Sequence, residues 1–207
     1  MKETFNTKSL VLLGLLTAVV MVFSFTPIGS IPIGPLVITL NIIPVAIAAV
    51  ALGPVGGLIM GSVFGLFSFL QCYGIGIPSG MGATLVSIDP FLAFVQRFVP
   101  RALDGFLAGL VFKGVSNFSN VHVGSLVTGF CTAFFNTLFF MSALIILFGN
   151  TEYVQGLRGG KNVITFVATF VGVNAVFEMI TCTIITGAIG LALYKSGFIQ
   201  VKKTGES

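Results

Sequence analysis

Between Asp89 and Phe112 runs an apolar stretch long enough to cross a bilayer, DPFLAFVQRFVPRALDGFLAGLVF, that carries Arg97, Arg101 and Asp104 in its interior. On a helix the steps 97 to 101 and 101 to 104 are i,i+4 and i,i+3. The three charges therefore share one stripe, with neighbours roughly 5–6 Å apart. A charged group at mid-bilayer costs at least about 2.5–3.5 kcal/mol, so this stripe cannot face lipid. It must look into a protein interior or a wet cavity, and the remainder of the chain has to wall it in.

That the surroundings are lipid follows from how few charges there are: 8% of 207 residues, with 56% hydrophobic and a mean hydropathy of +1.09. A soluble domain carries about 25% charged residues and could not cover its surface with so few. At about 20 residues per crossing the length suits six helices and short loops. The expected fold is an all-α integral membrane protein, a single polytopic domain over 1–207. Its helices are expected at about 9–26, 36–52, 55–72, 89–112, 122–148 and 162–194. The first run lacks a small-x-small cleavage site and is kept as a helix rather than a signal peptide. Lys2, Lys8, Lys113, Lys195, Lys202 and Lys203 fall on one side of six crossings, against Arg158 and Lys161 on the other, which places both termini in the cytoplasm. A net charge of +4 spread over helix ends argues for topology and against nucleic-acid binding.

The connections differ in character. Residues 27–35, PIGSIPIGP, hold three prolines and two glycines and cannot be a regular helix, so a structured loop or lid edge is expected. Asn41 and Pro44 should break the backbone ladder near one end of the second helix, and Gly53-Pro54 makes a turn. Residues 73–88 are uncharged and glycine-rich, read as a flexible loop and a plausible gate, and 149–161 is the most polar loop. Gly57, Gly61 and Gly65 form a flat i,i+4 ridge suited to tight helix packing. Gly14 and Ala18 make a small-xxx-small pair on the first helix, open either to a partner or to packing within the bundle.

By depth, Arg101, Asn136 and Glu178 sit near the centres of their helices, with Arg97 and Asn174 about one turn further out. A convergent polar cavity open to the outside accounts for them. Arg101 is either a substrate-binding group or pairs with Asp104 or Glu178 as a structural brace. Arg97, with fewer carboxylates left to neutralise it, presents a five-donor fork suited to a ligand carboxylate. Gln96 beside it joins the candidate binding set. Cys72, Cys131 and Cys182 are dispersed, and His122 has no ligating neighbours, so no metal is expected.

LGPVGGLIMGSVFGLFSF (52–69), VPRALDGFLAGLVFK in the fourth helix, Asn136-Thr137 and NAVFE (174–178) resemble the substrate-binding S components of energy-coupling factor (ECF) vitamin transporters. The IPIGP loop and the Asn-Thr pair are most like the pantothenate-specific branch. The resemblance implies a six-helix subunit in a prokaryotic plasma membrane that captures a vitamin on its outer face. It also implies partners: a transmembrane coupling subunit, docked partly on Gly14 and Ala18, and two ATPases. Substrate contacts carried over are the fourth-helix arginines, Asn136 and the aromatic Phe69.

Catalysis finds little support, since GxxxxGK[ST], HExxH, GxSxG and a Cys/His pair are all missing. ATP hydrolysis would belong to partner subunits, with no cofactor in this chain. The competing classes are a binding subunit for another vitamin, an intramembrane enzyme using Asp104 or Glu178, and a pore.

Overall fold

The computed structural model describes residues 6–33 and 36–199; Lys2, Lys202, Lys203 and residues 34–35 of the expected 27–35 loop lie outside them. Along the chain come α1 (Thr7–Phe25), β1 (Ser30–Ile33), β2 (Leu36–Thr39), α2 (Ile42–Leu70) with a 3-10 turn (Gln71–Tyr73), α3 (Gly80–Ile88) and α4 (Pro90–Phe118). They are followed by α5 (Val121–Phe148), α6 (Glu152–Arg158) and α7 (Val163–Lys195). Local chemistry sets the starts: Asn6, Ser79, Asp89, Asn120, Thr151 and Asn162 each accept a hydrogen bond from the N–H three residues on. Each such cap is worth about 1 kcal/mol. By length and composition α1, Ile42–Tyr73, α5 and α7 can cross a membrane, while α4 is as long but carries the charged stripe.

The helix expected over 36–52 is shorter. Leu36–Thr39 pairs antiparallel with Ser30–Ile33, Ser30 opposite Thr39 and Ile31 opposite Ile38, and the helix begins only at Ile42. A short β-branched run satisfies its backbone in a strand pair as well as in a helix turn, and apolarity alone does not separate the two. Pro44 thereby falls in the first turn, where its missing N–H costs nothing. The glycine-rich 73–88 segment ends in α3, and the polar 149–161 loop contains α6. Lys113, expected in a turn, lies within α4, which ends six residues later than anticipated at Phe118.

α2 reverses at Gly53, whose φ of 69° and ψ of −161° suit only glycine. Ala49 and Gly57 would stand about 12 Å apart along a straight helix. A Cβ built at Gly57 instead comes to 3.2 Å from the Ala49 Cβ, so residues 54–70 fold back beside 42–52. The glycine ridge then lies directly on α4: added Cβ atoms would strike the Gly105 carbonyl from Gly57, the Arg101 carbonyl from Gly61, and Phe98 from Gly65. The matched pairs run antiparallel, and the ridge brings the backbone of the arginine stripe against α2.

Two apolar cores bracket a polar layer. One, built on Leu16, Val20, Val45, Met60, Phe64, Ala133 and Cys182, fills the middle of the bundle. The other, with Met81, Leu85, Phe140, Leu144, Val154 and Phe166, packs α3 and α6 over the ends of α4, α5 and α7. Between them, along α5 and α7, come Asn136, Asn174 and Glu178.

Candidate functional site

Arg97, Arg101, Asn136, Asn174 and Glu178 line one cavity, together with Thr39, Ser79, Met81, Thr137, Phe140, Val171 and Ala175. It has about 540 Å³ of non-atom space, part of which opens at its mouth. Contributions come from β2, the cap of α3, and α4, α5 and α7, so the cavity exists only in the folded bundle.

The position of Arg101 follows from its neighbour. Pro100 has no N–H to give the carbonyl four residues back, and that carbonyl, on Gln96, accepts from Arg101 Nη1 at 3.3 Å. The guanidinium also lies 4.4 Å from the centre of the Phe140 ring and 5.5 Å from that of Phe64. Arg97 approaches the same Phe140 ring at 5.2 Å, and its Nη2 donates to Ser79 Oγ at 3.1 Å. Desolvated cation–π contacts of this kind are worth about 2 kcal/mol. Both arginines are buried, 7% and 5% exposed, and the Nε of each lacks a hydrogen-bond partner.

The expected brace between Arg101 and a carboxylate is not what forms. Glu178 accepts from the Thr39 N–H at 2.8 Å, tying the hairpin to α7. Asp104 is fully buried with neither carboxylate oxygen hydrogen-bonded, and it lies outside the cavity lining. The ring faces of Phe140 and Phe64 and a freed carbonyl take the place of that counterion. The lining thus holds two guanidinium groups for one carboxylate, a charge balance that complements an anion.

Two further expectations are relocated. Phe69 is outside the lining; it packs edge-on against Tyr73 and Phe94, with ring centres 5.3 and 5.2 Å away. Gln96 is fully buried with both amide atoms unpartnered and is likewise outside the lining, contributing its carbonyl instead. Gly14 and Ala18 are exposed, and a Cβ at Gly14 would meet nothing within 4 Å, so packing inside this bundle does not account for them. The lining residues that sequence reasoning passed over had partial signals. Phe140 stands one helical turn after Asn136, and Ser79 precedes Gly-Met-Gly as a helix cap would. Thr39 offered none, because its role depends on α7, 139 residues away. Among the described residues no cluster of three or more His, Cys, Asp or Glu side chains could hold a metal ion.

A family model described as ECF transporter, substrate-specific component, matches residues 8–190. The pantothenate transporter PanT of Leuconostoc mesenteroides subsp. mesenteroides is 29% identical over 198 residues, spanning 91% of this chain and 93% of that protein. The pantothenic acid transporter PanT of Lactococcus lactis subsp. cremoris is 27% identical over 174 residues, 76% of this chain and 78% of its own. Among solved structures, the S-component for biotin from an ECF-type ABC transporter superposes with a TM-score of 0.57 at 19% identity. It covers 88% of this chain and 93% of that one, a likeness of fold.

Proposed function

This chain belongs to the substrate-specific components of ECF transporters, and from that membership we propose that it is the high-affinity binding subunit of an ATP-driven pantothenate importer. The observation that carries the substrate is the cavity's charge: two buried arginines line it together with one carboxylate. Pantothenate supplies a carboxylate for an arginine fork, and an amide and two hydroxyls for Asn136, Asn174 and Glu178. Two PanT proteins related over most of their length support the same substrate.

In this reading α1, residues 36–52 (β2 running into the first part of α2), residues 54–70, α4, α5 and α7 are six crossings of a bacterial plasma membrane, with both termini cytoplasmic. Lys8, Lys113 and Lys195 lie at the end opposite α3, α6 and the hairpin, in keeping with that orientation. The cavity then opens outward. A transmembrane coupling subunit docks partly on the exposed Gly14 and Ala18, and two ATPases bound to it hydrolyse the ATP. The family's role is transport, so no reaction is assigned to Asp104 or Glu178.

Mass spectrometry of the small molecule retained by the purified protein, followed by calorimetry with the ligand-free protein, tests the reading. The expected result is pantothenate bound one to one. A different vitamin retained in its place, or no heat with pantothenate, overturns the substrate.

A further inference from the structure

We propose that the first turn of α3, with Ser79, the Met81 N–H and Arg97, is the subsite for the ligand's carboxylate, while Asn136 and Glu178 hold its hydroxyl-bearing end. This assignment of ligand orientation rests on the pantothenate reading.

The argument begins with the Ser79 hydroxyl, which offers two lone pairs and one hydrogen. Its oxygen accepts from the Gly82 N–H at 3.1 Å as the helix cap and from Arg97 Nη2 at 3.1 Å. With both lone pairs occupied, the remaining function of this buried, cavity-lining group is to donate. Arg97, 7% exposed, lines the same cavity and brings its guanidinium against this hydroxyl, with no carboxylate among the described residues hydrogen-bonded to it. Met81 is in the first turn of α3, where the N–H groups have no intrahelical acceptor and the helix pole is positive. Gly82 is what permits the approach: a Cβ there would stand 3.1 Å from Arg97 Nη2 and 2.5 Å from Cys72 Sγ. Two positive features, a guanidinium and a helix N-terminus, are therefore brought together beside a hydroxyl left to donate. Such a corner is completed by an oxyanion.

The deeper part of the cavity has the opposite character. Asn136 Oδ1 is buried without a partner, and Glu178 is a carboxylate with one oxygen on Thr39. The Glu178 carboxylate repels another carboxylate, and beside an amide that both donates and accepts it suits hydroxyl groups. Arg101 lies about 6 Å further along α4 than Arg97 and already engages the Gln96 carbonyl. A ligand with a carboxylate at one end and hydroxyls at the other fits this polarity in one direction only.

The test compares Ser79→Asp with Ser79→Asn, both good helix caps of nearly equal size, so that only a charge separates them. In Ser79→Asp the protein carries its own anion against Arg97. Calorimetry on the full-length protein would use pantothenate and its alcohol analogue, in which a CH₂OH group replaces the carboxylate. Pantothenate should bind Ser79→Asp about a hundredfold more weakly than Ser79→Asn, the scale of lost charge-assisted contacts. The alcohol should differ between the two by less than about threefold. Equal pantothenate affinity in the two variants, or parallel loss of both ligands, overturns the subsite. Independently of any variant, wild-type protein must prefer pantothenate over the alcohol by at least about tenfold, and equal binding overturns the proposal outright. Wild-type protein that binds neither ligand removes the pantothenate reading and the subsite with it.

Discussion

A single aromatic ring decides how two like charges coexist in this site. Arg97 and Arg101 both stand over Phe140, and the negative face of the ring offsets in part what an ordinary counterion would supply. Each gives one N–H within the protein, Arg101 to the carbonyl that Pro100 leaves free and Arg97 to the cavity-lining Ser79 hydroxyl. Arg97→Ala should therefore weaken pantothenate binding by about 1.5–3 kcal/mol, the range for a hydrogen bond to a charged group. Arg97→Lys should recover only part of this, because an ammonium lacks the planar fork. Calorimetry checks both, and an unchanged affinity in Arg97→Ala would remove this side chain from the site. The arginine stripe was legible in the sequence because i,i+4 spacing is a local property. The ring that both arginines share was not, since Phe140 belongs to another helix and reaches them only through the packing of α4 on α5.

At the scale of elements, the site depends on how closely two helices approach. Gly61 and Gly65 let α2 lie against the α4 backbone at Arg101 and Phe98, so the face that carries the arginines toward the cavity is held by glycines on the opposite face. A single methyl at Gly61 would meet a backbone carbonyl, which cannot rotate away as a side-chain end can. Gly61→Ala should cost about 1–3 kcal/mol, the usual penalty of overpacking, and weaken ligand binding along with it. Thermal unfolding in detergent and calorimetry measure the two effects, and wild-type values in both would contradict the role given to the ridge. The same substitution at Gly14, where a Cβ meets nothing, serves as the control. The ridge was visible as a spacing of glycines, but its partner was not, because a flat helix face is complementary to many surfaces. The hairpin of residues 30–39 and the short helices α3 and α6 were also hidden. Segments of four to nine residues carry too little periodicity to separate strand, helix and loop, and tertiary contacts such as Thr39 with Glu178 select among them.

Seen whole, the molecule has two candidate functional faces that are separated along the chain. The cavity is built from β2, α3, α4, α5 and α7, whereas Gly14 and Ala18 stand exposed on α1, in the half nearer Lys8. Filling that surface should leave the cavity intact. Gly14→Leu combined with Ala18→Leu is expected to retain pantothenate affinity in the isolated protein while abolishing ATP-driven uptake and co-purification with a coupling subunit. Uptake at the wild-type rate would remove the docking assignment. Loss of ligand binding and thermal stability together would show instead that the pair supports the bundle.

What this sequence determined by itself is whatever depends on composition and near neighbours along the chain. The scarcity of charge requires lipid around most of the surface, since too few polar groups exist to cover it. The spacing of Arg97, Arg101 and Asp104 requires a shielded stripe, and the capping residues mark where most helices begin. The tertiary structure decided which polar groups meet. Glu178 engages a hairpin amide, Arg101 rests on Phe140 and the Gln96 carbonyl, Asp104 remains outside the cavity, and Ser79 reaches Arg97 from a short helix. Each of these is a contact between elements remote in sequence. Its energy depends on distance and orientation across the bundle, quantities that hydropathy and periodicity along one segment do not contain.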